Sequence, residues 1–132
     1  MPNQAERKTI LVVEDEKPLL EAIHIKLEKS GFSVVTARTA EQAYGLLEDL
    51  TKVDVLWLDH YLLGKENGLD LVVKVKNNEH YKNIPIFIVS NTASSEKVQS
   101  YINLGVNKYY IKSNYRLDNI IEDIRDCLSD QQ

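Results

Sequence analysis

The sequence has little of what marks disulfide-rich, membrane-spanning or nucleic-acid-binding proteins. Its one cysteine, Cys127, excludes an internal disulfide and a cysteine metal cluster. No apolar run approaches the ~20 residues of a membrane helix, and the polar N-terminus is unlike a signal peptide. The net charge is −4, without a block of Lys or Arg, which argues against nucleic acid as a partner. We expect a soluble, cytoplasmic protein that binds neither nucleic acid nor a membrane.

Short apolar runs alternate with helical patterns along the chain. Three runs rich in β-branched residues are typical of strands buried on both faces of a parallel sheet, and two weaker runs complete the set. The five runs are Thr9–Val13, Ser33–Ala37, Val53–Leu58, Ile84–Val89 and Lys108–Ile111. Strands that alternate with helices imply right-handed crossovers and a sheet covered on both sides. The chain is therefore predicted to be one (βα)5 domain.

Local signals place the helices between these strands. Pro18 suits the first turn of the first helix, and Thr39 with Gln42 predicts a capping box for the second. Gly105 suits the position just after the fourth helix, and the fifth is predicted to begin near Asn114. We place the domain at residues 9–128, between a polar tail of residues 1–8 and a tail of residues 129–132.

Polar side chains follow the predicted strands where each strand ends. Glu14 and Asp15 follow the first strand, Asp59 the third, Ser90 the fourth and Lys112 the fifth. Because sites in such sheets lie beyond the carboxyl ends of the strands, these groups should meet. Clustered carboxylates suit Mg²⁺. An Asp beside such a cation can attack a phosphoryl group, while a lysine and a hydroxyl bind phosphoryl oxygens. The set predicts acyl-phosphate formation.

Four segments, in the family's order, resemble the signature segments of response-regulator receiver domains of two-component signalling. They are Leu11–Glu16, Val55–Asp59, Pro85–Ser90 and Tyr109–Lys112. The resemblance extends over about residues 8–128. It implies a flavodoxin-like α/β fold, a doubly wound parallel sheet with strand order 2-1-3-4-5.

The resemblance also implies roles for individual residues. Asp59 matches the phosphoacceptor, Asp15 a direct Mg²⁺ ligand and Glu14 the neighbouring acidic position, while the Tyr61 main-chain carbonyl would be the third protein ligand. Three further matches are Ser90 to the switch hydroxyl, Tyr109 to the switch aromatic and Lys112 to the family's lysine. Plain packing remains an alternative for Tyr109. His60 should point away from Asp59 and have a structural role.

Several positions depart from the family's pattern. Glu14 stands where Asp is more common, and Asn91 where Ala or Gly is usual. Leu63 occupies the position of a proline, and Gly68 lies one residue beyond the usual glycine. Ser113 replaces a proline whose preceding peptide bond is cis in the family, which leaves the geometry of the Lys112–Ser113 bond open.

The function implied is that of a single-domain response regulator, phosphorylated on Asp59 by a histidine kinase or a histidine phosphotransfer protein with Mg²⁺. Its catalysis would be limited to its own phosphorylation and dephosphorylation, so we do not expect an enzyme in the ordinary sense. The signal should pass to a separate output protein through the face of the fourth helix, fifth strand and fifth helix. The side chains predicted to be exposed there are Tyr101, Lys108, Tyr110, Tyr115 and Arg116.

Three alternatives remain. The domain could act as a phosphoryl relay or sink, or as a degenerate receiver that binds partners without phosphorylation. A haloacid-dehalogenase-like phosphatase would use the same groups, but it needs a second Asp where this chain has Tyr61, and a cap domain for which the chain has no room.

Overall fold

The computed structural model describes residues 7–50, 52–91 and 94–130. The strands are β1 (Thr9–Val13), β2 (Ser33–Ala37), β3 (Val55–Leu58), β4 (Ile86–Ser90) and β5 (Lys108–Ile111). The helices are α1 (Lys17–Lys29), α2 (Ala40–Asp49), α3 (Gly68–Lys76), α4 (Ser95–Asn103) and α5 (Leu117–Ser129). All strand pairs are parallel, and the sheet order is β2-β1-β3-β4-β5. The predicted flavodoxin-like fold is confirmed.

The sheet separates two apolar layers. One layer packs α2, α3 and α4 against strand residues such as Leu11, Leu56 and Ile86. The other packs α1 and α5 against alternate strand residues such as Ile10 and Trp57. Side chains of a strand alternate between the faces of a sheet, so a strand covered on both sides needs apolar residues at every position. This explains the continuous apolar runs in the sequence. Among the described residues, no helix is long and apolar enough to cross a membrane.

Two strands and one helix begin later along the chain than the sequence predicts. Val53 and Ile84 pack with the core, yet β3 and β4 each begin two residues later. Apolar patterning reports burial, and burial extends past the ends of the ladder. The fifth helix begins at Leu117 rather than near Asn114, because residues 112–114 form a separate 3₁₀ turn.

The helix caps are partly as predicted. The Thr39 hydroxyl accepts from the Gln42 N–H at 2.9 Å, but the Gln42 amide oxygen accepts from the Arg38 N–H instead of the Thr39 N–H. The predicted capping box is therefore only half formed. A complete box stands at α3, where Asn67 and Asp70 exchange side-chain-to-backbone bonds of 2.9 and 3.0 Å. This Asn-x-x-Asp pattern is visible in the sequence and was missed.

Two tyrosines predicted on the exposed face are buried, and that prediction is wrong. Tyr101 of α4 is 0% exposed and Tyr110 of β5 is 2% exposed. Both rings lie in the core, and both hydroxyls find partners: His60 Nδ1 at 2.6 Å for Tyr101, and Asp123 Oδ2 at 2.7 Å for Tyr110. A tyrosine can be fully buried when its hydroxyl is hydrogen-bonded. Ile102, the residue after Tyr101 in α4, is 52% exposed.

Gly68 is required by a close approach at the start of α3. A Cβ atom there would lie 2.5 Å from the Asp59 carbonyl oxygen and 2.7 Å from the Tyr101 hydroxyl. We predict that Gly68→Ala lowers the free energy of unfolding by about 2 kcal/mol, the usual cost of overpacking. The measurement is equilibrium unfolding in urea.

Gly45→Ala is the matched control. A Cβ atom at Gly45 in α2 meets nothing within 4 Å, so this change should stabilise the helix by about 0.5–1 kcal/mol. Equal stability of Gly68→Ala and wild type would show that α3 can shift without cost.

Candidate functional site

Parallel pairing places the candidate residues at one edge of the sheet. The ladder continues one residue past the strands, since the Asp59 N–H donates to the Val13 carbonyl and the Glu14 N–H to the Ala37 carbonyl, both at 3.0 Å. Glu14 and Asp59 therefore leave neighbouring strands side by side. Ser90 ends β4 and Lys112 directly follows β5. These groups therefore lie at the carboxyl edge of the sheet, as predicted.

Glu14, Asp15 and Asp59 form an acidic cluster in which one oxygen of each carboxylate lies within 4.8 Å of the others. Glu14 is 1% exposed and Asp59 is 3% exposed. The Lys112 ammonium joins two of the three, with Nζ 2.7 Å from Glu14 Oε1 and 3.1 Å from Asp59 Oδ2. The charge of the cluster is thus only partly balanced, and these oxygens suit a hard divalent cation.

Burial raises the pKa of the Glu14 carboxyl to about 7, against the opposing effects of Lys112 and the Glu16 N–H. That N–H donates to Glu14 Oε2 at 3.0 Å. Burial also disfavours the charge on Lys112, but its contacts with Glu14 and Asp59 raise the pKa of the ammonium overall. Lys112 is therefore positively charged at neutral pH. Glu14, longer than the Asp it replaces, uses one oxygen for Lys112 and the other for the backbone.

Arg38 is a site residue that the sequence reasoning missed. Its guanidinium donates to the Asp15 main-chain carbonyl, with distances of 2.8 Å from Nη2 and 3.2 Å from Nε. The two N–H groups share this one carbonyl oxygen, and the contact holds the backbone that carries the Asp15 carboxylate. Arg38 directly follows β2, so the strand-end rule could have found it.

Ser90 of β4 and Tyr109 of β5 are diagonal neighbours, since Tyr109 pairs with Ile88 and Ser90 with Ile111. Ser90 is fully buried. Its Oγ makes no hydrogen bond of normal geometry among the described residues, although the Tyr109 hydroxyl is close enough to interact with it. Burial raises the pKa of the Tyr109 hydroxyl, and the interaction with Ser90 partly offsets this. The two predicted switch residues are thus neighbours, whereas their role as a switch stays a prediction.

The loop after Asp59 contacts α4. His60 is buried, and its Nδ1 pairs with the Tyr101 hydroxyl, in line with the structural role expected for it. Burial and the nearby Lys97 lower the pKa of the imidazole, so the ring is neutral at neutral pH. The Tyr61 N–H lies 3.4 Å from Asp59 Oδ1. The proposed role of the Tyr61 carbonyl as a metal ligand stays a prediction.

The Lys112–Ser113 bond is trans, and the described residues contain no cis peptide bond. The geometry that proline gives the family is therefore absent here. Lys112 nevertheless reaches both Glu14 and Asp59 from the 3₁₀ turn that it opens.

Fold and site together define a flavodoxin-like domain with a buried acidic site beyond its strand ends. The family model described as response regulator receiver domain matches residues 10–125, and the chain belongs to this family. The chain is 31% identical to the chemotaxis protein CheY1 of Helicobacter pylori over 104 residues, which cover 78% of this chain and 83% of that protein. It is also 31% identical to the phosphate regulon regulator PhoB of Pseudomonas aeruginosa over 105 residues, 80% of this chain. The chain spans only 45% of the length of PhoB.

Solved structures show the same architecture. A CheY-like receiver domain from Methanospirillum hungatei superposes with a TM-score of 0.86 at 25% identity, over 96% of this chain and 97% of that one. The phosphorylated cyanobacterial phytochrome response regulator RcpA gives a TM-score of 0.78 at 25% identity, over 92% and 91% of the two chains.

The Lys112 bridge leads to a stability prediction. Without the ammonium, Glu14 and Asp59 would be buried beside each other uncompensated. We predict that Lys112→Met lowers the free energy of unfolding by about 3 kcal/mol in EDTA at mildly alkaline pH, as for a buried pair that loses one partner. Lys108→Met breaks a solvent-exposed pair with Asp123 and should cost less than about 1 kcal/mol. If Lys112→Met and Lys108→Met lower the free energy of unfolding by similar amounts, Lys112 does not stabilise the buried carboxylates as proposed.

Proposed function

We propose that the chain accepts a phosphoryl group on Asp59 from a histidine kinase or a histidine phosphotransfer protein. The observation that carries the proposal is the setting of the Asp59 carboxylate, which is nearly buried at a strand end, 3.1 Å from Lys112 Nζ and within 4.8 Å of two further carboxylates. Membership of the receiver family supports the same chemistry.

In the proposed transfer, an Asp59 carboxylate oxygen attacks the phosphorus atom of a phosphohistidine donor. The new O–P bond forms as the P–N bond breaks, and the histidine nitrogen leaves with the bonding electron pair. Lys112 remains protonated and can pair with one phosphoryl oxygen, while the Ser90 hydroxyl can donate to another. Ser90 Oγ is buried and makes no normal hydrogen bond among the described residues, which supports a role as donor to a phosphoryl oxygen.

The acidic cluster fits Mg²⁺. Asp15, Asp59 and Glu14 would supply carboxylate oxygens and Tyr61 its main-chain carbonyl. When bound, the ion would offset negative charge on the transferring oxygens. The residual negative charge of three carboxylates beside one ammonium supports this proposal.

Phosphorylation would serve signalling in the cytoplasm, and the chain would catalyse only its own phosphorylation and dephosphorylation. Contact between the phosphoryl group and Ser90 would change the position of Tyr109. This movement would alter the face formed by α4, β5 and α5. The exposed side chains of this face include Ile102, Lys108, Tyr115 and Arg116. A separate output protein would bind there.

The first test is covalent. Incubation with Mg²⁺ and phosphoramidate should add the mass of one phosphoryl group to the intact protein, and hydroxylamine should remove it. Asp59→Asn should gain no mass, whereas Asp126→Asn, which changes an exposed acid on α5, should react as wild type does. A wild-type protein that gains no mass would contradict the proposal and favour the degenerate receiver, a binding module that acts without phosphorylation.

The second test separates a switch from a relay. Beryllofluoride with Mg²⁺ mimics the phosphoryl group, and it should shift amide resonances of α4, β5 and α5 as well as those beside Asp59. Ser90→Ala should confine the shifts to the site, because the hydroxyl that links it to Tyr109 is lost. Shifts confined to the site in wild type would favour a phosphoryl relay or sink.

A further inference from the structure

Two side chains of α4, one helical turn apart, contact the two residues that follow Asp59. The Tyr101 hydroxyl pairs with His60 Nδ1 at 2.6 Å. Lys97 Nζ lies 3.3 Å from the Tyr61 hydroxyl and 5.1 Å from the centre of its ring. Residues at i and i+4 lie on the same face of a helix. One face of α4 therefore contacts two consecutive residues of the loop that begins at Asp59.

The contact between Tyr101 and His60 is buried and closely packed. The two rings meet edge to face, with centroids 5.7 Å apart. The Gly68 N–H donates to the His60 carbonyl at 2.9 Å. A Cβ atom on Gly68 would lie 2.7 Å from the Tyr101 hydroxyl. The start of α3, the loop and α4 thus meet around His60, and a shift of α4 would have to move His60.

We propose that Tyr101 and Lys97 are positioning residues, which fix His60 and Tyr61 and thereby the main-chain carbonyl that would bind Mg²⁺. This inference rests on the proposed function for the identity of the ion. The link runs through the loop after Asp59, and Tyr101 also borders the Ser90–Tyr109 contact, since the rings of Tyr101 and Tyr109 have centroids 5.7 Å apart. Linkage is reciprocal, so an ion bound by the Tyr61 carbonyl would also stabilise the position of α4.

The first experiment measures amide hydrogen exchange of residues 60–67 without metal, so it does not depend on phosphorylation. Tyr101→Phe keeps the ring and removes the hydroxyl, and exchange in the loop should rise about tenfold, as expected for the loss of one buried hydrogen bond. Lys97→Met should raise it by a smaller factor.

The matched controls are Tyr110→Phe and Lys108→Met. Tyr110 is also buried and its hydroxyl bonds to Asp123, and Lys108 Nζ lies 5.7 Å from the centre of the Tyr110 ring. Both controls should leave the exchange of residues 60–67 unchanged. If Tyr101→Phe and Tyr110→Phe affect the loop equally, Tyr101 is only a packing residue and the proposal is wrong.

The second experiment titrates Mg²⁺ and follows the fluorescence of Trp57, the single tryptophan, two residues before Asp59. Tyr101→Phe should raise the Kd about tenfold, by the same loss of one hydrogen bond, while Tyr110→Phe should match wild type. Mg²⁺ should also slow exchange in α4 of wild type but not of Tyr101→Phe. If Tyr101→Phe speeds exchange in the loop but leaves the Kd for Mg²⁺ unchanged, Tyr101 does not position the metal ligand and the proposal is wrong. A wild type that binds Mg²⁺ but takes up no phosphoryl group would refute the proposed function alone.

Discussion

The site depends on the single ammonium group that joins two buried carboxylates. Two carboxylates about 5 Å apart repel by roughly 3 kcal/mol at an effective dielectric near 20, and burial adds a desolvation cost to each. Lys112 lies within 3.1 Å of Glu14 and Asp59 and offsets both effects. The balance is incomplete because Asp15 adds a third negative charge to the cluster. The cluster is thus only partly neutralised, and its carboxylates could hold a metal ion.

The site is held in place by the sheet and by the contacts of the loop after Asp59. Backbone bonds beyond the strand ends fix Glu14 and Asp59 relative to each other. The loop forms only an isolated parallel bridge, between Leu63 and Thr39, and it is also held by α4 through His60 and by the start of α3 at Gly68. The same helix forms part of the face proposed for signalling. The loop proposed to bind the metal ion and the proposed signalling face therefore both involve α4.

The departures from the family pattern are accommodated by local adjustments. The longer Glu14 side chain reaches both Lys112 and the Glu16 N–H. A 3₁₀ turn with a trans bond at Ser113 still carries Lys112 to the acids. Gly68, displaced by one residue, stands where any side chain would meet the Asp59 carbonyl and Tyr101. Lys112 contacts Glu14 and Asp59 although several of the usual residues are changed.

Local sequence determined the elements, the fold class and the edge at which Asp59, Glu14 and Lys112 meet, because strand periodicity and the strand-end rule depend only on order along the chain. Tertiary structure decided which side chains face each other across elements. The burial of Tyr101 and Tyr110 and the contact of Tyr101 in α4 with His60 depend on residues distant in sequence. Such contacts depend on the depth and angle at which helices pack on the sheet, and no local pattern encodes these.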